Sequence, residues 1–311
     1  MTGDAIHALV GGTVQETGGG VYSILLDGGR RVEASLRGRL KLQERTGSRV
    51  VIGDRVGVYQ SDATWTIESV AKRTTELVRR GRGGRSPKVL VANLDRVFVV
   101  VALKSPPATT TLIDRMLVLV ESSGMHPMLI LNKLDLEGAR AAAVDFTARY
   151  ESIGYRVLPT SVAERIGLRS LIDEVTVGTS AFIGPSGAGK SSLLNALDPS
   201  LNLETGALSR KTGTGRHTTV GSRLIPLSIG GLVADTPGFG DVGLWAVPPG
   251  EVADCFPEFA TVAEGCRFRA CTHVHEPNCG VRAALERTEI FESRYESYVS
   301  LRAEAVDASQ R

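Results

Sequence analysis

Apolar and polar residues alternate in short runs through the first quarter of the chain. Residues 20–26, 31–34, 50–52, 54–58 and 64–67 carry such runs, and turn signals such as Asp27-Gly28-Gly29, Gly53-Asp54 and Ser61-Asp62 separate them. Five short strands in about 65 residues predict a small β-barrel of the OB type over residues 1–75, a common platform for nucleic acid. Residues 79–88, Arg-Arg-Gly-Arg-Gly-Gly-Arg-Ser-Pro-Lys, break the pattern with a dense mixture of cations and glycine. That composition predicts a mobile basic linker over 76–92 whose arginines can reach phosphates without reading bases.

From residue 95 the period changes. Residues 95–103 are valine-rich without alternation, as expected of a buried strand, and residues 109–123 place Leu112, Met116, Leu119 and Val120 on one helical face. Strands at 127–131, 155–158 and 180–183 then alternate with helices at 137–152, 168–175 and 191–197. Such alternation predicts a mostly parallel sheet covered by helices on both faces, here over residues 93–247. Residues 281–306 read as helical, with Tyr295, Tyr298 and Leu301 on a packing stripe, inside a mostly helical C-terminal domain over 248–311. No repeat of solenoid period occurs.

Composition adds three constraints. With 311 residues, 42% hydrophobic and 23% charged, the chain can support several globular cores. The first residues lack the basic and apolar regions of a signal peptide, and apolar runs stay far below the roughly 20 residues of a membrane span, so a cytoplasmic protein with no membrane partner is expected. The net charge of +2 is uneven: residues 1–90 hold 15 Lys and Arg against 9 Asp and Glu, the remainder 21 against 25. A basic front on a nearly neutral protein points to a polyanion.

The chemistry is concentrated in a few motifs. Gly184-Pro185-Ser186-Gly187-Ala188-Gly189-Lys190-Ser191 follows an apolar strand and opens a helix, the context of a phosphate loop, with Ser192 next in line. Its backbone N–H groups can cradle a phosphate, Lys190 can reach the β- and γ-phosphates, and the Ser191 hydroxyl can ligate Mg²⁺. Downstream, Asp235-Thr-Pro-Gly238 offers a carboxylate for the magnesium shell and an amide that senses the γ-phosphate. The loop Gly215-Arg216-His217-Thr218-Thr219 offers a threonine, Thr218 or Thr219, to complete that shell. Base identity is expected from Asn132-Lys133-Leu134-Asp135: the Asp135 carboxylate can accept from guanine N1–H and the 2-amino group, Asn132 can bond the other edge, and the Lys133 stem can cover the ring. Thr160-Ser161-Val162 can offer an amide to the guanine O6. The residue after Gly238 is Phe239, which cannot orient water as a glutamine would. His217 is therefore the candidate for that catalytic role, with a plain phosphate- or RNA-contacting histidine as the rival reading.

The base-reading motif precedes the phosphate loop here, the reverse of the usual GTPase order. In the tail, Cys266, Cys271, His273 and Cys279 match a closed structural Zn²⁺ site, with His275 a rival nitrogen ligand and Cys255 set apart as a buried thiol. Taken together the motifs resemble the circularly permuted, ribosome small subunit-dependent GTPases of bacteria (the RsgA type). That resemblance implies an OB-fold, a permuted GTPase domain, a zinc domain and Mg²⁺ with GTP. It also implies late 30S maturation, with the 30S subunit and its 16S rRNA as partners and hydrolysis stimulated by the subunit. No DNA partner is expected, and the lack of exposed heptads favours a monomer. Two other readings stay open: an RNA-binding protein whose nucleotide only sets conformation, and a GTPase acting on a protein partner.

Overall fold

The computed structural model describes residues 8–45, 49–79, 88–203, 223–235 and 247–310. Its N-terminal part is a five-stranded barrel: β1 (Val10–Gly18), β2 (Val21–Leu26), β3 (Arg31–Leu36), then α1 (Gly38–Arg45), β4 (Arg55–Ser61) and β5 (Thr64–Val70). The hydrogen-bonded order β1-β2-β3-β5-β4 closes through β1–β4 pairing, so the barrel has no free edge. Inward residues Val14, Ile24, Val58 and Ile67 are fully buried.

One expected strand is replaced by another. Residues 50–52 are no barrel strand; Ile52 makes a lone bridge to Val91 and joins the core of the central domain, while Val50 belongs to the barrel core. Burial from two sides, not pairing, explains that apolar run. The missing strand is β1, whose period is diluted by Gly11, Gly12 and Gly18. The reading of 76–92 as a linker also needs correction at its two ends. There β6 (Glu76–Arg79) and β7 (Lys88–Ala92) pair antiparallel, with Leu77 and Val91 fully buried in the central core. The basic residues 80–87 between them lie outside the described residues.

The central domain contains β8 (Arg96–Ala102), α2 (Thr110–Glu121), β9 (Met128–Asn132), α3 (Ala139–Ser152), β10 (Arg156–Pro159), α4 (Leu168–Val175), β11 (Thr179–Ile183), α5 (Lys190–Leu197), β12 (Arg223–Pro226) and β13 (Leu232–Asp235). Strand order is β10-β9-β8-β11-β13-β12, parallel except for β12, which also touches β1 through Glu16 and Arg223. β8 shows why its sequence lacks alternation. Val97, Val99 and Val101 face a core with Ile113, Leu117 and Tyr150, whereas Phe98 and Val100 face Leu171, Leu193 and Leu197 on the other side.

The C-terminal part holds α6 (Phe259–Ala263), α7 (Gly280–Glu286) and α8 (Glu292–Ser309). The single helix expected over 281–306 is interrupted at Thr288, which adopts a left-handed φ of 58°. Helix α8 packs on α2 and shares its core, and the contact centres on Arg294, which is fully buried. Its guanidinium donates to Asp114 Oδ1 at 2.7 Å and to both Glu258 oxygens at 2.7 and 3.0 Å, and lies 4.4 Å from the Phe256 ring. Burial pushes the Asp114 carboxyl up, against the pull of Arg294. Removing the cation strands two carboxylates in a dry core. Arg294→Met should therefore cost about 3–5 kcal/mol of stability, readable as a lower urea midpoint; an unchanged midpoint would show that the contact is not structural. Among the described residues no helix is long and apolar enough to cross a membrane.

Candidate nucleotide site and metal centre

Parallel strands aim their following loops at one sheet edge, where open α/β sheets place ligands. Strand β11 runs into Gly184, and α5 begins at Lys190, so residues 184–189 form an arch over that edge. Gly184, Gly187 and Gly189 have φ of 148°, 82° and 96°, conformations that L side chains rarely adopt. Space forbids side chains as well: a Cβ at Gly184 would lie 2.0 Å from the Val100 carbonyl oxygen, and one at Gly189 2.3 Å from Asn132 Nδ2. With glycine as its N-cap, α5 has no side chain capping its first N–H groups, which suits them to an anion. Lys190 curls into the arch, donating to the carbonyls of Gly184 (2.8 Å) and Pro185 (2.9 Å).

The permuted segments meet this arch from the neighbouring strands. Asn132 ends β9, two strands from β11, and is almost fully buried. Its Nδ2 donates to the Ala188 carbonyl at 2.9 Å, and its Oδ1 accepts from Thr160 Oγ1 at 3.0 Å. Both ends of the amide are thus engaged by the protein, tying the phosphate-loop segment to the loop after β10. Reading Asn132 as a base contact missed this strap, because neither partner is near it in sequence.

Lys133 follows at a left-handed φ of 66°, and its Nζ donates to the Ser105 carbonyl at 2.6 Å. Asp135 is exposed, with Oδ1 accepting from Ser161 Oγ at 2.6 Å. Ser161 Oγ also accepts the Glu164 N–H, so the serine orients the carboxylate from a fixed loop. The N–H groups of Thr160 and Ser161 donate to the Leu131 and Ile166 carbonyls. Asp235 ends β13, directly beside β11, so its backbone sits next to the arch. His217, Thr218, Thr219, Gly238 and Phe239 lie outside the described residues.

In the C-terminal part, one ligand atom from each of Cys266, Cys271, His273 and Cys279 falls within 4.8 Å of the others. His273 Nδ1 lies 3.5 Å from Cys266 Sγ and 3.4 Å from Cys279 Sγ, and those sulfurs are 3.9 Å apart. Cys266 Sγ also accepts the Gly280 N–H, as a thiolate ligand would. The geometry separates the two histidines: His273 is buried with its ring in the cluster, and His275 is exposed. A φ of 57° at His273 and a hydrogen bond from Tyr295 to its carbonyl (2.8 Å) set that orientation. Glu276 accepts from Thr272, Val274 and His275 and braces the loop; burial alone would raise its carboxyl, but the donors around it, Thr272 foremost, together outweigh burial and hold it below the usual range. Cys255 stands apart, buried, with its thiol pushed up to about 12 by burial.

Comparison with known proteins agrees with this architecture. The family model described as RsgA GTPase matches residues 70–245. A protein of Gemmatimonas aurantiaca named small ribosomal subunit biogenesis GTPase RsgA is 45% identical over 302 residues, 96% of this chain and 98% of its own. A protein of the same name from Moorella thermoacetica is 40% identical over 95% of this chain and 97% of its own. Among solved structures, YjeQ of Thermotoga maritima superposes with a TM-score of 0.79 at 31% identity, covering 96% of this chain and 99% of that one. YloQ, described as a circularly permuted GTPase, gives 0.75 at 29% identity, covering 99% and 98%.

Proposed function

The chain belongs to the RsgA GTPase family, and on that premise we propose that it binds the small ribosomal subunit and hydrolyses GTP to GDP and phosphate during late 30S maturation, stimulated by the subunit. The observation that carries the site assignment is the strap through Asn132, which brings the 132–135, 160–161 and 184–191 segments onto one edge despite their permuted order.

Within that pocket Asp135, held by Ser161, reads guanine. The Lys133 stem covers the ring, and Asn132 keeps the base and phosphate loops in register. The first amides of the arch and Lys190 receive the phosphates, with Pro185, Ser186, Gly187, Ala188 and Ser192 lining it. Ser191, Asp235 and one of Thr218 and Thr219 would hold a magnesium ion, which would supply charge neutralisation to the phosphates. The Gly238 amide senses the γ-phosphate. His217 orients the attacking water once the ribosomal surface arranges its loop, since Phe239 cannot. His217→Ala should abolish most subunit-stimulated turnover while leaving nucleotide affinity near wild type; stimulation of normal size would remove the histidine from the mechanism.

The metal of the C-terminal part is zinc on this reading. Tetrahedral zinc with Zn–S of about 2.3 Å and Zn–N of about 2.0 Å implies S···S edges of about 3.8 Å and N···S edges of about 3.5 Å. The spacings of Cys266, Cys279 and His273 match those edges. Four protein ligands close the site, so its role is structural. The cationic excess of residues 1–90 provides the attraction to 16S rRNA, and the protein acts as a cytoplasmic monomer.

Sedimentation tests the reading. The protein should pellet with purified 30S subunits under a non-hydrolysable GTP analogue and stay in the supernatant with GDP. Failure to pellet in either state would contradict it.

A further inference from the structure

Three consecutive residues outside every motif reach the pocket or the turn beside it. They lie in the loop between β8 and α2. Lys104 crosses to the turn after Asp135, where its Nζ and Cε would lie 3.7 and 3.6 Å from a Cβ at Gly138. Ser105 holds a left-handed φ of 50°, and its carbonyl receives the Lys133 ammonium at 2.6 Å. The Pro106 ring covers Gly187 of the arch, its Cδ only 3.2 Å from where a Cβ would stand. All three residues are exposed, so burial of an apolar core does not account for their placement.

We propose that Lys104-Ser105-Pro106 is a positioning element of the nucleotide site. It fixes the Lys133 stem across the purine face and backs the phosphate loop at Gly187. An unanchored lysine stem samples many rotamers and loses entropy when a ligand orders it. With Nζ on the Ser105 carbonyl, the stem is ordered before the base arrives. Its Cε passes 3.9 Å from a Cβ position at Gly189, so the anchored stem already runs between the base side and the phosphate side. The contribution is to ground-state binding and blind to the guanine edge, because a stem over the ring touches its face and not the 2-amino group. This inference rests on the pocket assignment above, and its test separates the two.

Pro106→Ala removes the two ring atoms nearest Gly187 and keeps a Cβ. Titration calorimetry with GDP and with IDP, which lacks the 2-amino group, should show both affinities falling by about tenfold, the ratio that 1.4 kcal/mol gives. The GDP-to-IDP ratio should stay at the wild-type value, KM for GTP should rise by the same factor, and kcat at saturating GTP should hold. Lys133→Met keeps an apolar stem without the anchor and should lose affinity similarly, while Lys133→Arg, which still donates to Ser105, should recover most of it. Combining Pro106→Ala with Lys133→Met should give less than the product of the single losses. Unchanged affinities in Pro106→Ala, a loss confined to GDP, or a lower melting temperature of the nucleotide-free protein with normal affinity would each overturn the proposal. Wild-type protein that binds no GDP would instead overturn the pocket assignment itself.

Discussion

Replacing Asp135 by asparagine inverts the base preference of the site, from guanosine toward xanthosine nucleotides, with a change in the affinity ratio on the order of 10⁴. Guanine presents two donors to this position, N1–H and the 2-amino group, and a carboxylate can accept both. An asparagine offers one acceptor and one donor, so it faces the 2-amino group with a mismatched N–H. Xanthine carries a carbonyl there and restores the pairing. The size of the change follows from what surrounds the residue: Ser161 donates to Oδ1 at 2.6 Å and is itself fixed by the Glu164 N–H, so the carboxylate cannot swing aside to soften the mismatch. Leu134, next to it, is pinned through its N–H to the Thr160 carbonyl. Competition titrations with GDP and XDP check the outcome. Equal GDP affinity in wild type and variant would mean that another group reads the base.

Loss of one cysteine in the C-terminal cluster should have an effect of comparable size on stability. Cys266→Ser is expected to reduce bound zinc from one per chain to near zero and to unfold the loop around it, removing a binding free energy on the order of 10 kcal/mol. Damage should travel further than the loop. Cys266 Sγ accepts the Gly280 N–H at the start of α7, and a Cβ at Gly280 would sit 2.0 Å from the Val262 carbonyl of α6, so the metal loop holds two helices at close approach. Tyr295 and Tyr298 of α8 donate to the carbonyls of His273 and Thr272, linking the loop to the helix that carries Arg294. Elemental analysis and limited proteolysis would show the metal lost and residues near 266–280 cut first. His275→Ala and Cys255→Ser should keep full metal content, since neither side chain belongs to the cluster. A Cys266→Ser protein with normal zinc content would refute the ligand assignment.

Much of the central domain was legible because its signals are local. The strand and helix pattern from residue 95 onward places β8, α2, β9, α3, β10, α4, β11 and α5 within a few residues, since each buries a face whose period the sequence displays. The cysteine spacing shows the metal cluster for the same reason, and only the choice between His273 and His275 needed the fold. What the sequence hid was set by long-range packing. Strand β1 is obscured by glycines that a closing barrel tolerates, and the 50–52 run looked like a strand because two different cores bury it. The β6–β7 ribbon was masked by the basic residues it flanks. Arg294 sits in a helix rich in charges, and nothing nearby announces that its partners are 36 and 180 positions away. In the site, Asn132 binding Ala188 and Lys133 binding Ser105 depend on which loops the permuted sheet brings side by side, not on any spacing along the chain.

The most direct test is steady-state nucleotide hydrolysis measured with GTP and with ATP, each with and without purified 30S subunits. A guanine pocket assembled from permuted segments and governed by the ribosome predicts slow GTP turnover by the isolated protein, a large increase on adding subunits, and negligible ATP turnover in both conditions. GTP turnover that ignores the subunits, or ATP hydrolysed as fast as GTP, would contradict it.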